Sequence, residues 1–169
     1  MTVEGNNIEY LDVVDENNNV IGKETRANIH KQKLFHRAVH IIVLNTKGEM
    51  FIQKRSAIKD TYPNHWDVSS AGHLNVGESY ESAAKRELKE ELGIENIDLE
   101  NVSEIKGSKA NDFEFIKIFK CVYDGEITIN KEEISEGKFI SVNKLKKLLS
   151  SRSKIKITPA IKNIILNYL

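Results

Sequence analysis

The stretch 72–94, which reads GHLNVGESYESAAKRELKEELGI, constrains the fold more than any other part of the chain. Gly72 and Gly77 bracket a predicted loop, because glycine marks turns and loops. Residues 78–92 then predict a helix that ends at Gly93, where a glycine is favoured. Apolar residues recur at every fourth position of this helix, which indicates a face that packs on a sheet: Ala84, Leu88 and Leu92.

The rest of the chain predicts the sheet on which that helix packs. Apolar or alternating runs predict strands at residues 9–14, 20–26, 38–45, 49–55, 66–72, 97–107, 113–123 and 137–142. Residues 143–149 and a segment that begins at Thr158-Pro159 predict further helices, whereas residues 27–35 are compatible with a helix or a loop. A chain of 169 residues fits one compact unit, so the sequence predicts a single α/β domain over residues 1–169.

The charge balance and the cysteine content narrow the class of protein. Lys+Arg and Asp+Glu both number 25, so no overall field favours nucleic acid or an anionic membrane. The single cysteine, Cys121, excludes an intrachain disulfide and suits a reducing cytoplasm. The acidic residues 1–16 do not predict a signal peptide, and no apolar run approaches membrane-spanning length. We therefore expect a cytoplasmic protein with no membrane or nucleic-acid partner, as a monomer or a homodimer.

Three glutamates share one face of the predicted helix, since residues three and four apart are neighbours: Glu87, Glu90 and Glu91. Like charges at this spacing cost about 0.2–0.5 kcal/mol per pair. A hard divalent cation would offset that repulsion, because Mg²⁺ is held by a few carboxylates together with substrate phosphates. The alternative is a solvated acidic helix with ordinary salt pairs, namely Glu81–Lys85 and Arg86–Glu90.

The same stretch resembles the Nudix box, GX5EX7REUXEEXGU, in which U is an aliphatic residue. Every specified position is present: Gly72, Glu78, Arg86-Glu87-Leu88, Glu90-Glu91 and Gly93-Ile94. The resemblance implies a Nudix hydrolase with a mixed β-sheet sandwiched between α-helices (α/β/α). It also implies a small-molecule substrate. The expected reaction is hydrolysis of a diphosphate linkage, in a nucleoside diphosphate derivative or a related organic pyrophosphate, and it depends on Mg²⁺ or Mn²⁺.

The resemblance assigns metal-binding roles to residues of this stretch. Glu87, Glu90 and Glu91 would hold the cation, and the backbone carbonyl of Gly72 would join them. Glu78 would form a hydrogen bond or bind metal where the loop meets the helix.

The resemblance also assigns catalytic roles, to Arg86, Glu87, Glu90 and Glu133. Arg86 would orient Glu87, and water would attack phosphorus. The general base varies within the family, so that Glu87 and Glu133 are both candidates, with Glu132 behind Glu133. A solvated acidic turn is the alternative reading of the last two residues.

A second resemblance, over residues 36–73, is to the type 1 isopentenyl-diphosphate isomerases of the same superfamily. These enzymes bind a divalent metal through histidines and glutamates. The matching positions here are His36, His73, and Asp112 or Glu114, and His30 is a further candidate whose spacing differs.

Ala71 argues against isomerisation. The isomerases carry a catalytic cysteine directly before the residues that match Gly72-His73, and alanine cannot move a proton. Cys121 lies in a different predicted strand and is expected to be core. We therefore expect hydrolysis and place the chain in an isomerase-like bacterial branch of the Nudix hydrolases. A non-catalytic nucleotide-binding module remains an alternative, although it would be marked by a degraded box.

Five residues are candidate substrate contacts: Arg37, Lys54, Arg55, His73 and Glu114. The basic residues could meet diphosphate oxygens, or they could be surface charges. Glu114 shares a strand face with apolar residues, where a carboxylate must be paired or metal-bound; base rates instead favour an exposed strand end for it. His40 is expected to be a buried core histidine.

Overall fold

The computed structural model describes residues 8–150 and 155–169. The stretch that is not expected to be a signal peptide, residues 1–16, lies partly outside these ranges. The strands are β1 (Tyr10–Val14), β2 (Val20–Thr25), β3 (His36–Leu44), β4 (Glu49–Arg55), β5 (Trp66–Asp67), β6 (Ser70–His73), β7 (Glu100–Ile105), β8 (Glu114–Val122) and β9 (Ile134–Ser141). The helices are α1 (Arg26–Gln32), α2 (Tyr80–Leu92), α3 (Val142–Ser150) and α4 (Pro159–Asn167). Helix α1 thus forms most of residues 27–35, for which the sequence was compatible with a helix or a loop.

A mixed sheet of seven strands forms the centre of the fold. Its path runs β5-β4-β3-β8-β7, with β6 paired to β3 and β9 paired to β4. β3 and β8 are parallel along their whole length, and the other pairs are antiparallel. The expected hairpin of β3 and β4 is paired only at Leu44 and Met50, because β6 pairs with the rest of this edge of β3 and β5 pairs with the rest of this edge of β4.

Helices cover both faces of the sheet, as the α/β/α expectation requires. Val39, Ile41 and Val43 of β3 pack in one apolar cluster with Leu88 of α2. The alternate residues of β3 belong to a second cluster with Leu145 of α3 and the isoleucines of α4. Successive side chains of a strand point to opposite faces, so β3 forms part of both halves of the core. None of the helices in the described part of the chain is long and apolar enough to cross a membrane.

Helix α2 begins two residues later than the expected start at residue 78. The hydroxyl of Ser79 accepts a hydrogen bond from the Ser82 amide, and serine is a preferred residue at this capping position. The helix ends at Gly93, which has a φ of +68°, as expected. Glu78 therefore precedes the helix, at the end of the loop that begins at Gly72.

Candidate active site

Gly72 lies directly beneath the Glu87 carboxylate. A Cβ atom at residue 72 would be 2.8 Å from Glu87 Oε2 and closer still to Oε1. Only a glycine lets β6 pass this close to α2 without displacing the carboxylate. The first and central residues of the stretch 72–94 are therefore brought together by the packing of α2 on the sheet.

Arg86 ties the carboxylates of this region together. Its Nε and Nη2 donate to the two oxygens of Glu78, each at 2.9 Å. Its Nη1 donates to Glu87 at 2.6 Å and to Glu90 at 3.2 Å. Its Nη2 also donates to the carbonyl of His73, at 2.9 Å. The guanidinium is thus bonded to three carboxylates, and the expected role of Arg86 in orienting Glu87 stays a prediction.

Glu87, Glu90 and Glu91 form the carboxylate face of α2. Glu91 is buried, Glu87 is largely buried and Glu90 is exposed. Burial raises the pKa of Glu91 to about 8, with a smaller contribution from Glu87. Burial likewise raises the pKa of Glu87 to about 7, opposed by Arg86. Gln53 Nε2 donates to Glu91 at 3.0 Å. Two buried carboxylates beside each other form an oxygen donor set that fits a hard divalent cation, which would favour their charged forms.

Glu133, the other candidate base, lies before β9 and borders the same cleft as the carboxylate face. Its carboxylate is paired with the ammonium group of Lys59. Glu132 also borders the cleft. The cleft has a volume of about 1650 Å³, which is large enough for a nucleotide-sized ligand.

His30 of α1 and His73 of β6 border the same cleft, and the buried His36 of β3 completes a histidine cluster with them. Ligand-capable nitrogens of the three rings lie within 4.8 Å of one another. Glu114 Oε1 is 3.1 Å from His73 Nε2 and 3.7 Å from His36 Nε2. His30 Nδ1 is 3.7 Å from Asp112 Oδ2.

Two unpaired nitrogens make this cluster fit a cation. The Nε2 atoms of His30 and His36 are buried without a hydrogen-bond partner among the described residues. His36 Nδ1 is 2.9 Å from the carbonyl of Leu34. In the neutral tautomer that has its proton on Nδ1, this hydrogen bond would leave the Nε2 lone pair for a cation. Metal-binding histidines typically have this outer hydrogen bond.

Glu114 corrects one expectation. It does not lie at an exposed strand end, since its side chain is only 19% exposed. Burial raises its pKa, but the imidazoles of His36 and His73 outweigh burial and hold the pKa of Glu114 well below its ordinary value. The expectation of an exposed position was wrong because the parallel pairing of β3 and β8 places His36 directly beside Glu114.

The candidate substrate contacts differ in their positions. Arg37 donates to the Asn18 side chain at 2.8 Å and to the Asn18 carbonyl at 2.6 Å, on the face of β3 opposite to His36. Arg55 borders the cleft and pairs with Asp67 at 3.2 Å. Lys54 is not among the cleft residues in the described part of the chain.

Comparison with known proteins identifies the family. The model of the NUDIX domain matches residues 34–161. The chain belongs to the Nudix family. A Photorhabdus laumondii protein named isopentenyl-diphosphate Delta-isomerase 2 is 36% identical over 148 residues, which cover 85% of this chain and 83% of that protein. An uncharacterized Nudix hydrolase of Listeria monocytogenes is 34% identical over 158 residues, which cover 85% and 86%.

Solved structures agree on the Nudix fold. The crystal structure of DR0079 from Deinococcus radiodurans aligns with a TM-score of 0.84 at 24% identity, over 95% of this chain and 100% of that chain. A MutT protein from Methanosarcina mazei Go1 aligns with a TM-score of 0.64 at 19% identity, over 78% and 91%. At these identities the likeness shows the fold alone. The expected family and fold class are both confirmed.

Two basic residues at the cleft of this Nudix domain were not foreseen from the sequence. Arg26 at the start of α1 contacts both carboxylate oxygens of Asp60, at 2.7 and 3.3 Å. Lys59, one residue earlier in the same loop, is the partner of Glu133. Each pair joins segments far apart in the chain, so no local pattern could have indicated it.

Proposed function

We propose that this Nudix domain hydrolyses the diphosphate linkage of a nucleoside diphosphate derivative, or of a related organic pyrophosphate, with Mg²⁺ or Mn²⁺. The observation that carries the proposal is the convergence of two largely buried carboxylates on β6 at a large open cleft: Glu87 lies against Gly72 and Glu91 accepts from the Ala71 amide. Burial raises the pKa of both carboxyl groups, and a divalent cation would favour their charged forms. A Mg²⁺ ion held in this way binds substrate phosphates as well.

The roles within the site follow from the contacts. Glu87, Glu90, Glu91 and the Gly72 carbonyl would hold the ion, with Glu78 beside them. When bound, the ion neutralises phosphate charge and makes a coordinated water more acidic. Arg86 holds the Glu87 carboxylate in place through the bond from its Nη1.

A carboxylate then accepts the proton of the attacking water. Glu87 and Glu133 are the two candidates, and both border the cleft. Use of Glu133 requires Lys59 to release it or to share it with the water, because the two side chains are paired. The bond broken is the one between phosphorus and the bridging oxygen of the diphosphate, and the products are two phosphate-bearing fragments.

The histidine cluster supports a second cation. Imidazole nitrogens with one carboxylate suit Mn²⁺, Zn²⁺ or Co²⁺, and two of these nitrogens have no other partner among the described residues. We propose that this ion helps to position the diphosphate across the cleft from the carboxylate face.

The same cluster favours a second candidate function, isomerisation of a prenyl diphosphate, since one relative is named as such an isomerase. Ala71 weakens this candidate, because a methyl group cannot replace the cysteine thiol in proton transfer. The presence of all three glutamates of the carboxylate face weakens the alternative of a non-catalytic binding module. We also propose a cytoplasmic location, consistent with the free buried thiol of Cys121. Measurement of the mass in solution would distinguish a monomer from a homodimer.

One screen tests the proposal. The protein is incubated with Mg²⁺ or Mn²⁺ and a panel of nucleoside diphosphates, dinucleotides, sugar nucleotides and prenyl diphosphates, and products are identified by mass. We expect metal-dependent cleavage of at least one compound, and loss of cleavage in the Glu87→Gln, Glu90→Gln and Glu91→Gln variants. An absence of cleavage across the panel, or full activity in the triple variant, would contradict hydrolysis. Isomerised isopentenyl diphosphate would establish the second candidate instead.

A further inference from the structure

Gln53 of β4 is a buried polar side chain to which the proposed chemistry gives no role. It is 4% exposed, and it is not among the cleft residues in the described part of the chain. It lies on the same face of β4 as Phe51, because alternate residues of a strand share a face. Phe51 packs in the apolar cluster that contains Leu88 of α2. The Gln53 amide therefore lies on the side of the sheet that α2 covers.

Both N–H groups of the Gln53 amide have an acceptor. Nε2 is 3.0 Å from Glu91 Oε2 and 3.2 Å from the carbonyl of Ser69. A backbone carbonyl and an ionised carboxylate can only accept hydrogen bonds, so the amide must present its NH₂ group to them and not its oxygen. The contact with Glu91 is therefore a hydrogen bond donated by β4 to the carboxylate face.

The Glu91 carboxylate is fixed at one of its two oxygens. The Ala71 amide donates to the same Oε2, at 3.3 Å, so donors from β4 and from β6 meet at one atom. A carboxylate oxygen has two lone-pair sites, and these two donors occupy both sites of Oε2. Neither donor reaches Oε1. Oε1 is therefore the oxygen that the two strands leave for a cation.

The donors to Glu91 differ in charge from the donor to Glu87. Glu87 accepts from Arg86 Nη1, and the positive charge of a guanidinium reduces the attraction of a carboxylate for a second cation. The Gln53 side chain and the Ala71 backbone amide are both neutral. They fix the position of the Glu91 carboxylate without cancelling its charge, so this charge stays for a divalent ion.

We propose that Gln53 is a positioning residue for the metal ion of the carboxylate face. Its amide holds Glu91 Oε2, and the carboxylate is thereby placed to bind Mg²⁺ or Mn²⁺ through Oε1. This inference rests on the metal site of the proposed hydrolase. Loss of a hydrogen bond to a metal ligand typically costs about 10–100-fold in metal affinity. Gln53 acts through Glu91 and does not contact the substrate.

The test measures Mg²⁺ binding to the protein without substrate. The Kd is obtained from the rise in melting temperature with Mg²⁺ concentration, against NaCl of equal ionic strength. Mg²⁺ is used because the imidazoles of the histidine cluster suit it poorly. Gln53→Met keeps a side chain of similar size but removes both donors, and it should raise the Kd for Mg²⁺ about tenfold or more. A Kd equal to that of the wild type overturns the inference.

A double-mutant cycle separates positioning from a general effect on packing. In a Glu91→Gln background the carboxylate that Gln53 holds is already absent, so Gln53→Met should change the Kd for Mg²⁺ by less than about twofold. The same increase with and without Glu91 would show that Gln53 does not act through Glu91, and it would overturn the inference.

Ser69→Ala is a matched control for the loss of a buried hydrogen bond. The Ser69 hydroxyl donates to the Phe51 carbonyl at 2.6 Å and accepts from the Val43 amide at 2.9 Å, and neither bond involves Glu91. The control should lower the melting temperature and leave the Kd for Mg²⁺ unchanged. An increase in Kd equal to that of Gln53→Met would assign both effects to packing, against the inference.

Two further results complete the test. If Gln53→Met does not fold, Gln53→Lys replaces it. The lysine keeps a donor but adds a positive charge beside Glu91, so the Kd for Mg²⁺ should again rise about tenfold or more, and a wild-type Kd overturns the inference. Absence of Mg²⁺ binding by the wild-type protein would instead overturn the metal site of the proposed function.

Discussion

Replacing Gly72 with alanine should impair catalysis without unfolding the protein. The new methyl group would lie 2.8 Å from Glu87 Oε2 and closer to Oε1, whereas carbon atoms and their neighbours settle at about 3.5–4.0 Å. The carboxylate must therefore move by on the order of 1 Å. A displacement of this size in a reacting group can lower the rate about 10²-fold, which corresponds to about 2.7 kcal/mol of activation free energy.

The free energy of unfolding should change much less. The atoms that the methyl group meets are the end of a flexible side chain, and Gly72 does not have the positive φ that disfavours alanine. Alanine also restricts the unfolded chain, which stabilises by about 0.4–1 kcal/mol. A net change within about 1 kcal/mol would shift the melting temperature by no more than about 4 °C at this chain length.

The assay measures kcat/KM on the diphosphate identified by the panel, the affinity for Mn²⁺ by calorimetry, and the melting temperature by circular dichroism. Gly22→Ala is a matched control, because a Cβ there meets no atom within 4 Å, and it should behave as the wild type. Wild-type kcat/KM and Mn²⁺ affinity in Gly72→Ala would show that the position of the Glu87 carboxylate does not matter. A fall in melting temperature of more than about 10 °C would show that the substitution acts through the fold instead.

Three further outcomes are expected. Arg86→Lys keeps the charge but loses the fork that holds Glu78 and Glu87, so kcat/KM should fall about tenfold or more; an unchanged value would remove Arg86 from the positioning role. Arg26 lowers the pKa of Asp60 to about 2, from roughly 3.9 when unfolded, so their pair stabilises above about pH 4 and this contribution is lost as the pH falls through 2. Because the Asp60 side chain is 56% exposed, urea unfolding of Asp60→Asn at pH 7 should show a loss below about 1 kcal/mol, and a larger loss would contradict this reasoning. Burial raises the pKa of Cys121 to about 11, so the native thiol should react with Ellman's reagent at pH 8 at least about 100-fold more slowly than the unfolded chain; fast labelling of the native protein would place Cys121 at the surface.

The carboxylate half of the candidate site could be predicted from the sequence because its geometry is local. Glu87, Glu90 and Glu91 share a face in any α-helix, and Gly93 indicates where that helix ends. Only the N-terminal boundary was wrong, by two residues, since Ser79 caps the helix. The number of residues between Gly72 and Glu87 did not predict that the two are in contact, because their close approach depends on how α2 packs against β6.

The histidine half could not be predicted to the same extent because two strand pairings and a separate helix assemble it. His36 meets Glu114 only through the parallel register of β3 and β8, and His73 joins them only through the antiparallel register of β6. His30 comes from a segment for which the sequence favoured neither a helix nor a loop. Residues 36, 73 and 114 are distant in the chain, and a shift of one residue in either register would point their side chains away from one another.

Strand β6 explains why the two halves lie at one cleft. Its residues alternate between the faces of the sheet, so Gly72 points toward α2 whereas Ala71 and His73 point toward the histidine side. The Ala71 amide also donates to Glu91 at 3.3 Å, and the His73 carbonyl accepts from Arg86, so the backbone of β6 is bonded to the carboxylate half while its side chains form part of the other half. Each of the three consecutive residues is therefore limited by a different neighbour: residue 72 by the Glu87 carboxylate, residue 73 by Glu114, and residue 71 by His40 across the β3 pairing. A change at Ala71 should accordingly alter the cleft on the histidine side without moving the Glu87 carboxylate, which would let substrate preference and metal binding by the carboxylate face vary separately.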